Sequence, residues 1–210
     1  MKKTFKKTKK SLFITFEGID GCGKSTQANL LYKLLKNKGF SVILTREPGG
    51  TKLAESIRKI LLDPKNKISP LAELFLYEAS RAEHVNEIIL PALRAKKIVI
   101  CDRFYDATVA YQGYARGLKL NMIETLNRFA AAGIKPDLTI ILDIPAKEGL
   151  RRAKELKKTD RMETEKLSFY EKVRKGYLSL GRKYPQRIKI IKTEDTVAKT
   201  HLNILKLLGI

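Results

Sequence analysis

The run Gly18-Ile19-Asp20-Gly21-Cys22-Gly23-Lys24-Ser25-Thr26 constrains this chain more than any other feature. It fits G-x-x-x-x-G-K-[ST], the pattern of a loop whose backbone N–H groups cradle phosphate. Its flanks agree with it. The apolar run Leu12-Phe13-Ile14-Thr15-Phe16 reads as a buried strand before the loop, and Gln27 to Lys38 has helical periodicity after it. Glycine tolerates positive φ and leaves room for an anion, and the following helix adds its N-terminal dipole. Gly18, Ile19, Asp20, Gly21, Cys22, Gly23, Lys24, Ser25 and Thr26 are therefore expected around the phosphates of a nucleoside triphosphate. Lys24 is expected on the β- and γ-phosphates and the Ser25 hydroxyl on Mg²⁺.

The 210 residues suit one domain, and 43% hydrophobic residues supply a sizeable core. No apolar run approaches the roughly 20 residues of a membrane span. Six lysines (Lys2, Lys3, Lys6, Lys7, Lys9, Lys10) fall in the first ten residues. A signal peptide would continue with about 7–15 apolar residues; only Leu12 to Phe16 precede Glu17 here. The expectation is a cytoplasmic protein with a solvated basic tail over residues 1–10. Cys22 and Cys101 lack metal-ligand spacing. Cys101 reads as a small core residue, and Cys22 as a thiol in the phosphate loop. The net charge of +21 raises nucleic-acid binding as an alternative. The lysines are spread over many helices and not interleaved with aromatics in one stripe, which favours anionic small-molecule substrates and no specific nucleic acid.

Strand and helix patterns alternate. Strands are expected at Leu12–Phe16, Ser41–Thr45, Ile98–Cys101, Leu138–Asp143 and Ile188–Ile191, with helices at Thr26–Lys38, Leu53–Leu62, Leu71–Ala95, Met122–Ala132, Ala146–Glu155, Lys166–Lys183 and Thr196–Leu208. Short, continuous apolar strands separated by helices describe a three-layer α/β fold around a five-stranded parallel sheet buried on both faces. Ligands in such sheets bind beyond the carboxyl ends of the strands. The chemically interesting residues follow those ends: Glu17 and the phosphate loop, Arg46-Glu47-Pro48-Gly49-Gly50-Thr51, Asp102-Arg103, Asp143, and Thr193-Glu194-Asp195.

Asp102 ends an apolar strand, where an acid can hold Mg²⁺ directly or through water; with Arg103 it also reads as a simple ion pair. Arg46 opens a Pro-Gly-Gly turn, and its planar fork suits phosphate. Ala146–Phe169 carries Arg151, Arg152, Lys154, Lys157, Lys158, Arg161 and Lys166 against Glu148, Glu155, Asp160, Glu163 and Glu165. That charge pattern fits two readings equally: a lid that brings cations to a transferring phosphoryl group, and a solvated helical hairpin with i,i+4 pairs. No Asn-Lys-x-Asp string is present to read guanine.

These strings, with Ala79-Ser80-Arg81, Ala110-Tyr111-Gln112-Gly113 and Asp160-Arg161-Met162-Glu163, resemble the thymidylate kinase family in order and spacing from about residue 11 to 210. The Arg-Glu-Pro-Gly-Gly-Thr string is far more specific than a phosphate loop. The resemblance implies a P-loop NTPase fold with a helical lid over about residues 146–166, and phosphorylation of dTMP to dTDP by ATP and Mg²⁺. It implies dTMP contacts from Asp20 (deoxyribose 3′-hydroxyl), Arg46, Arg58 and Arg103 (phosphate), Tyr77 (stacking), Arg81 and Thr108 (thymine edge), Tyr111 (sugar) and Gln112 (the same pocket). It places Thr193–Val197 near adenine and implies a homodimer. Ser25 and Asp102 are the implied metal residues; Lys24, Arg103 and, from the lid, Arg152 or Lys154 are the implied catalytic cations. The chain departs from the family pattern in two respects: Lys154, Leu156 and Lys157 stand in a lid that is arginine-rich in one subgroup, and Ala107 stands where a serine is usual.

Overall fold

The computed structural model describes residues 11–155, 160–162 and 164–210. Leu156, Lys157, Lys158, Glu163 and the lysine tail lie outside the described residues, and with them part of the expected lid. Five strands, β1 (Leu12–Glu17), β2 (Val42–Arg46), β3 (Ile98–Asp102), β4 (Leu138–Asp143) and β5 (Ile188–Lys192), form one parallel sheet in the order β2-β3-β1-β4-β5. The side chains of β1 explain the unbroken apolar runs. Ile14 and Phe16 enter one core cluster with Ile98 and Ile100, while Phe13 enters a second with Val99 and Cys101. Both faces of the sheet are covered, so both sets are mainly apolar, and Thr15, on the Phe13 face, is buried with its hydroxyl 2.7 Å from that of Thr139.

Nine α-helices are described: α1 (Lys24–Asn37), α2 (Lys52–Leu62), α3 (Pro70–His84), α4 (Leu90–Arg94), α5 (Tyr105–Thr108), α6 (Leu120–Ala130), α7 (Ala146–Glu155), α8 (Leu167–Lys183) and α9 (Val197–Leu208). Local chemistry sets their starts. Thr51 accepts from the Ala54 N–H at 3.1 Å and Thr196 from that of Lys199 at 3.2 Å, while Ser69 and Pro70 open α3.

Two segments depart from the sequence reading. The expected helix Leu71–Ala95 is α3 and α4 joined by a π-helical turn, Val85–Ile89. Pro91 lacks an N–H and its ring crowds the preceding turn, which the wider π turn accommodates. Residues 105–115, assigned to no strand or helix by the sequence reading, form α5 and a π-helical stretch, Val109–Ala115. β-branched and aromatic residues plus Gly113 hide helical periodicity there. The stretch is held by tertiary packing on α8, where Gly176 lets the Tyr114 ring approach so closely that a Cβ would lie 2.9 Å from it.

The register positions the site. Arg46 pairs with Asp102, and Asp102 with Phe16, so the ends of β2, β3 and β1 lie side by side.

Candidate active site

The phosphate loop turns from β1 into α1, with Gly23 in the left-handed region (φ 87°) as the helix cap and its carbonyl accepting from the Gln27 N–H at 3.0 Å. Lys24 is nearly buried, its Nζ 3.4 Å from both the Ile19 carbonyl and Asp20 Oδ1. Ser25 donates to Asp102 Oδ2, and Asp102 Oδ1 is buried with no hydrogen-bond partner. Two oxygen ligands thus face each other at the loop, one with an unused lone-pair set, which fits a hard divalent cation. Thr26 is exposed in the first turn of α1, and Ile19 packs into the core. Cys22 is fully buried, not accessible, and burial pushes its thiol above the usual value.

The loop is gripped from the lid side through glycine. A Cβ on Gly21 would lie 2.0 Å from the Gly149 carbonyl oxygen, and one on Gly149 would lie 2.8 Å from the Asp20 carbonyl oxygen. The α7 backbone therefore rests directly on the phosphate loop. Arg152, one turn after Gly149, donates to Glu148 at 2.8 Å; Lys154 is exposed. Arg161 is not a free lid cation: it is buried and donates to the Leu61 carbonyl and Glu73. At the other flank, Gln27 donates to the Val197 carbonyl at 2.9 Å and Thr193 to that of Cys22 at 3.4 Å, drawing the Thr193–Val197 turn against the loop.

Beside the loop lies a cavity lined by Asp20, Arg58, Tyr77, Arg103, Thr108, Tyr111 and Gln112, with Pro48, Leu62, Ala107, Asp160 and Met162. Arg103 is its centre. Its backbone is left-handed (φ 70°), its N–H donates to the Phe16 carbonyl at 2.9 Å, and its guanidinium donates to the Gly18 carbonyl (2.9 Å), Asp20 (2.6 Å), Tyr111 (3.0 Å) and Tyr177 (3.1 Å). Burial opposes the charge on Asp20, but Arg103 and Lys24 overcome it and hold the carboxyl well below the usual range. Arg58 donates to the Pro48 carbonyl at 2.9 Å, and burial lowers its pKa. The Thr108 hydroxyl is buried in the wall with no partner.

Two expected dTMP residues are absent from this cavity's wall. Arg46 is half-exposed, pairs with Glu55 at 2.8 Å, and lines a neighbouring cleft with Ser25 and Asp102. Arg81 is expected at the base edge, but the structure holds it behind the wall. It is 2% exposed, and it donates to Glu47 (2.8 Å), Glu78 (3.0 Å) and Asn127 (2.9 Å). Three acceptors engage the fork, and its face lies on the Phe104 ring, 5.5 Å from the centroid.

Two acids carry more than the sequence reading gave them. Glu17 is wholly buried, accepts from the Phe104 N–H (2.7 Å) and Tyr177 (2.8 Å), and is raised to about 8 by burial and by nearby Asp106. Glu73, also wholly buried, accepts from Gln112, Arg116 and Arg161. Their only sequence signal is an acid within an otherwise apolar neighbourhood.

A parallel sheet with a phosphate loop, an acid at the adjacent strand end, and a guanidinium-centred pocket next door defines a nucleotide kinase of the phosphate-loop class. The comparisons with known proteins narrow this class. The thymidylate kinase family model matches residues 16–204. The chain is 46% identical over 195 residues to the thymidylate kinase of Kosmotoga olearia, covering 93% of this chain and 94% of that one. It is 51% identical over 200 residues to that of Geotalea daltonii, covering 91% and 94%. A crystal structure of thymidylate kinase from Ehrlichia chaffeensis superposes with a TM-score of 0.77 at 40% identity, covering 95% of this chain and 99% of that one. The chain belongs to the thymidylate kinase family.

Proposed function

We infer that the chain transfers the γ-phosphoryl group of ATP to dTMP, yielding dTDP, with Mg²⁺ at the donor site. The observation that carries the acceptor half is the unpartnered Thr108 hydroxyl in a wall it shares with an aromatic ring, Tyr77, and a guanidinium, Arg103. A nucleobase edge gives Thr108 its partner, its face stacks on Tyr77, and the monophosphate meets Arg103, with Arg58 and Arg46 nearby. Asp20 takes the sugar 3′-hydroxyl, Tyr111 crowds a ribose 2′-hydroxyl, and Gln112 meets the base. Arg81 acts from behind the wall through Glu47 and Glu78 instead of at the base edge.

The nucleophile is a phosphate oxygen of dTMP, anionic near neutral pH, so no general base is needed. Catalysis is positioning and charge neutralisation by Lys24 and Arg103. Arg152 completes the set in preference to Lys154: it lies three residues after Gly149, on the α7 face that touches the loop. Ser25 and Asp102 would hold Mg²⁺, which would supply charge neutralisation at the triphosphate oxygens. Residues 11–210 form one kinase domain acting in the cytoplasm, consistent with the lack of a membrane-crossing helix among the described residues. A homodimer pairs the face made by α2, α3 and α6, where Leu53, Ile60, Phe75 and Phe129 are exposed.

The test of the acceptor site is Thr108→Val. Loss of one buried hydrogen bond is expected to lower kcat/KM for dTMP about tenfold while leaving the ATP constant unchanged. Unchanged dTMP kinetics would remove Thr108 from the site.

A further inference from the structure

Glu73 stands outside the reacting groups, yet one of its donors, Gln112, lines the cavity. It is wholly buried in α3. Arg116 Nε and Nη2 lie 3.2 and 3.1 Å from it and Arg161 Nη2 lies 2.5 Å from it. Burial opposes its charge, but these guanidinium partners prevail and keep its pKa below the ordinary value. Glu73 is therefore an acceptor only.

The Gln112 amide is 2% exposed and meets Glu73 Oε1 at 2.8 Å. A carboxylate cannot donate, so the amide must present its nitrogen to Glu73. The opposite orientation would set two acceptors against each other in a buried site. The carbonyl end then remains for the cavity that Gln112 lines with Tyr77, Thr108 and Tyr111.

Resting on the acceptor assignment above, we propose that Glu73 is a specificity-determining positioning residue: it fixes the Gln112 carbonyl as the cavity's acceptor and so selects bases that carry a ring N–H. Thymine and uracil carry that donor. Cytosine presents a lone pair at the same ring position and would leave two buried acceptors facing each other. The charge that enforces the choice is held by Arg161, between α7 and α8, and by Arg116, which also pairs with Glu165 at 2.6 Å. Base selection is thereby wired to the arm that follows the lid.

The test is steady-state kinetics of the wild type, Glu73→Gln and Glu73→Asp with dTMP, dUMP and dCMP. Glutamine can offer either amide end, so Gln112 is free to turn. Aspartate keeps the charge for the two arginines but withdraws it from Gln112 by one methylene. In both variants the dTMP-to-dCMP ratio of kcat/KM should fall at least about tenfold while the dTMP-to-dUMP ratio holds. A merely structural role would lower all three substrates together and preserve both ratios, which overturns the proposal even where one variant fails to fold. Wild type that leaves dTMP untouched overturns the acceptor assignment and this selection with it. Active wild type with unchanged ratios in the variants overturns the role of Glu73 alone.

Discussion

Glu17 makes stability depend on pH in the direction opposite to most carboxylates. Its side chain is wholly buried, with the Phe104 N–H and the Tyr177 hydroxyl as donors and with Asp106, Arg103 and Arg187 as the charges around it. Burial first, then Asp106, raises it from 4.5 to about 8. Between those two values the native chain holds a proton that the unfolded chain has released. Native binding exceeds unfolded binding, so stability falls as pH rises through this window, and the loss is absent below pH 4.5. Converted at about 1.4 kcal/mol per pH unit, the rise corresponds to a loss of at most about 5 kcal/mol. Glu17→Gln keeps the shape, an acceptor for Phe104 and a polar group for Tyr177, but does not titrate. Urea unfolding followed by far-ultraviolet circular dichroism suits a chain without tryptophan. The wild type should lose several kcal/mol relative to Glu17→Gln between about pH 4.5 and pH 8. Parallel pH curves for the two proteins would refute the reasoning.

Gly149→Ala should cost about 1–3 kcal/mol by overpacking, because its methyl meets the Asp20 carbonyl and the Ile19 side chain, and it should lower kcat more than it raises the dTMP KM; normal kcat would deny α7 a catalytic position. Lys24→Met should reduce turnover by at least about 100-fold with the fold intact by circular dichroism, on the proposed role of Lys24 in stabilising the transferring phosphoryl group; near-normal turnover would misplace the donor site. Arg103→Ala should raise the dTMP KM and lower kcat together, by about tenfold or more each, as four partly buried hydrogen bonds are lost; an effect on ATP alone would assign Arg103 elsewhere.

The sheet was legible because its strands are continuous apolar runs covered on both faces, as Ile14 and Phe16 against Phe13 illustrate. The convergence of Gly18–Thr26, Arg46 and Asp102 on one edge followed from strand ends alone. Residues 105–115 were not legible, since a π-helical stretch built from Val109, Tyr111 and Gly113 has no local signature and depends on its contact with α8. Gly149 was hidden for a related reason: a glycine inside a helix reveals its purpose only through the loop it meets in space. Arg81 fits a base-edge role by spacing, but spacing carries no information about Glu47 and Asn127, acceptors far away in sequence that hold it behind the wall. Glu73 likewise looks like one more helical acid until Gln112, Arg116 and Arg161 gather on it.

The central claim is phosphoryl transfer to dTMP. It is tested most directly by a coupled ADP-release assay with ATP, Mg²⁺ and each nucleoside monophosphate in turn. The account predicts fast turnover with dTMP and much slower turnover with dCMP and the purine monophosphates. Absence of turnover with dTMP in a folded protein that binds ATP would contradict it.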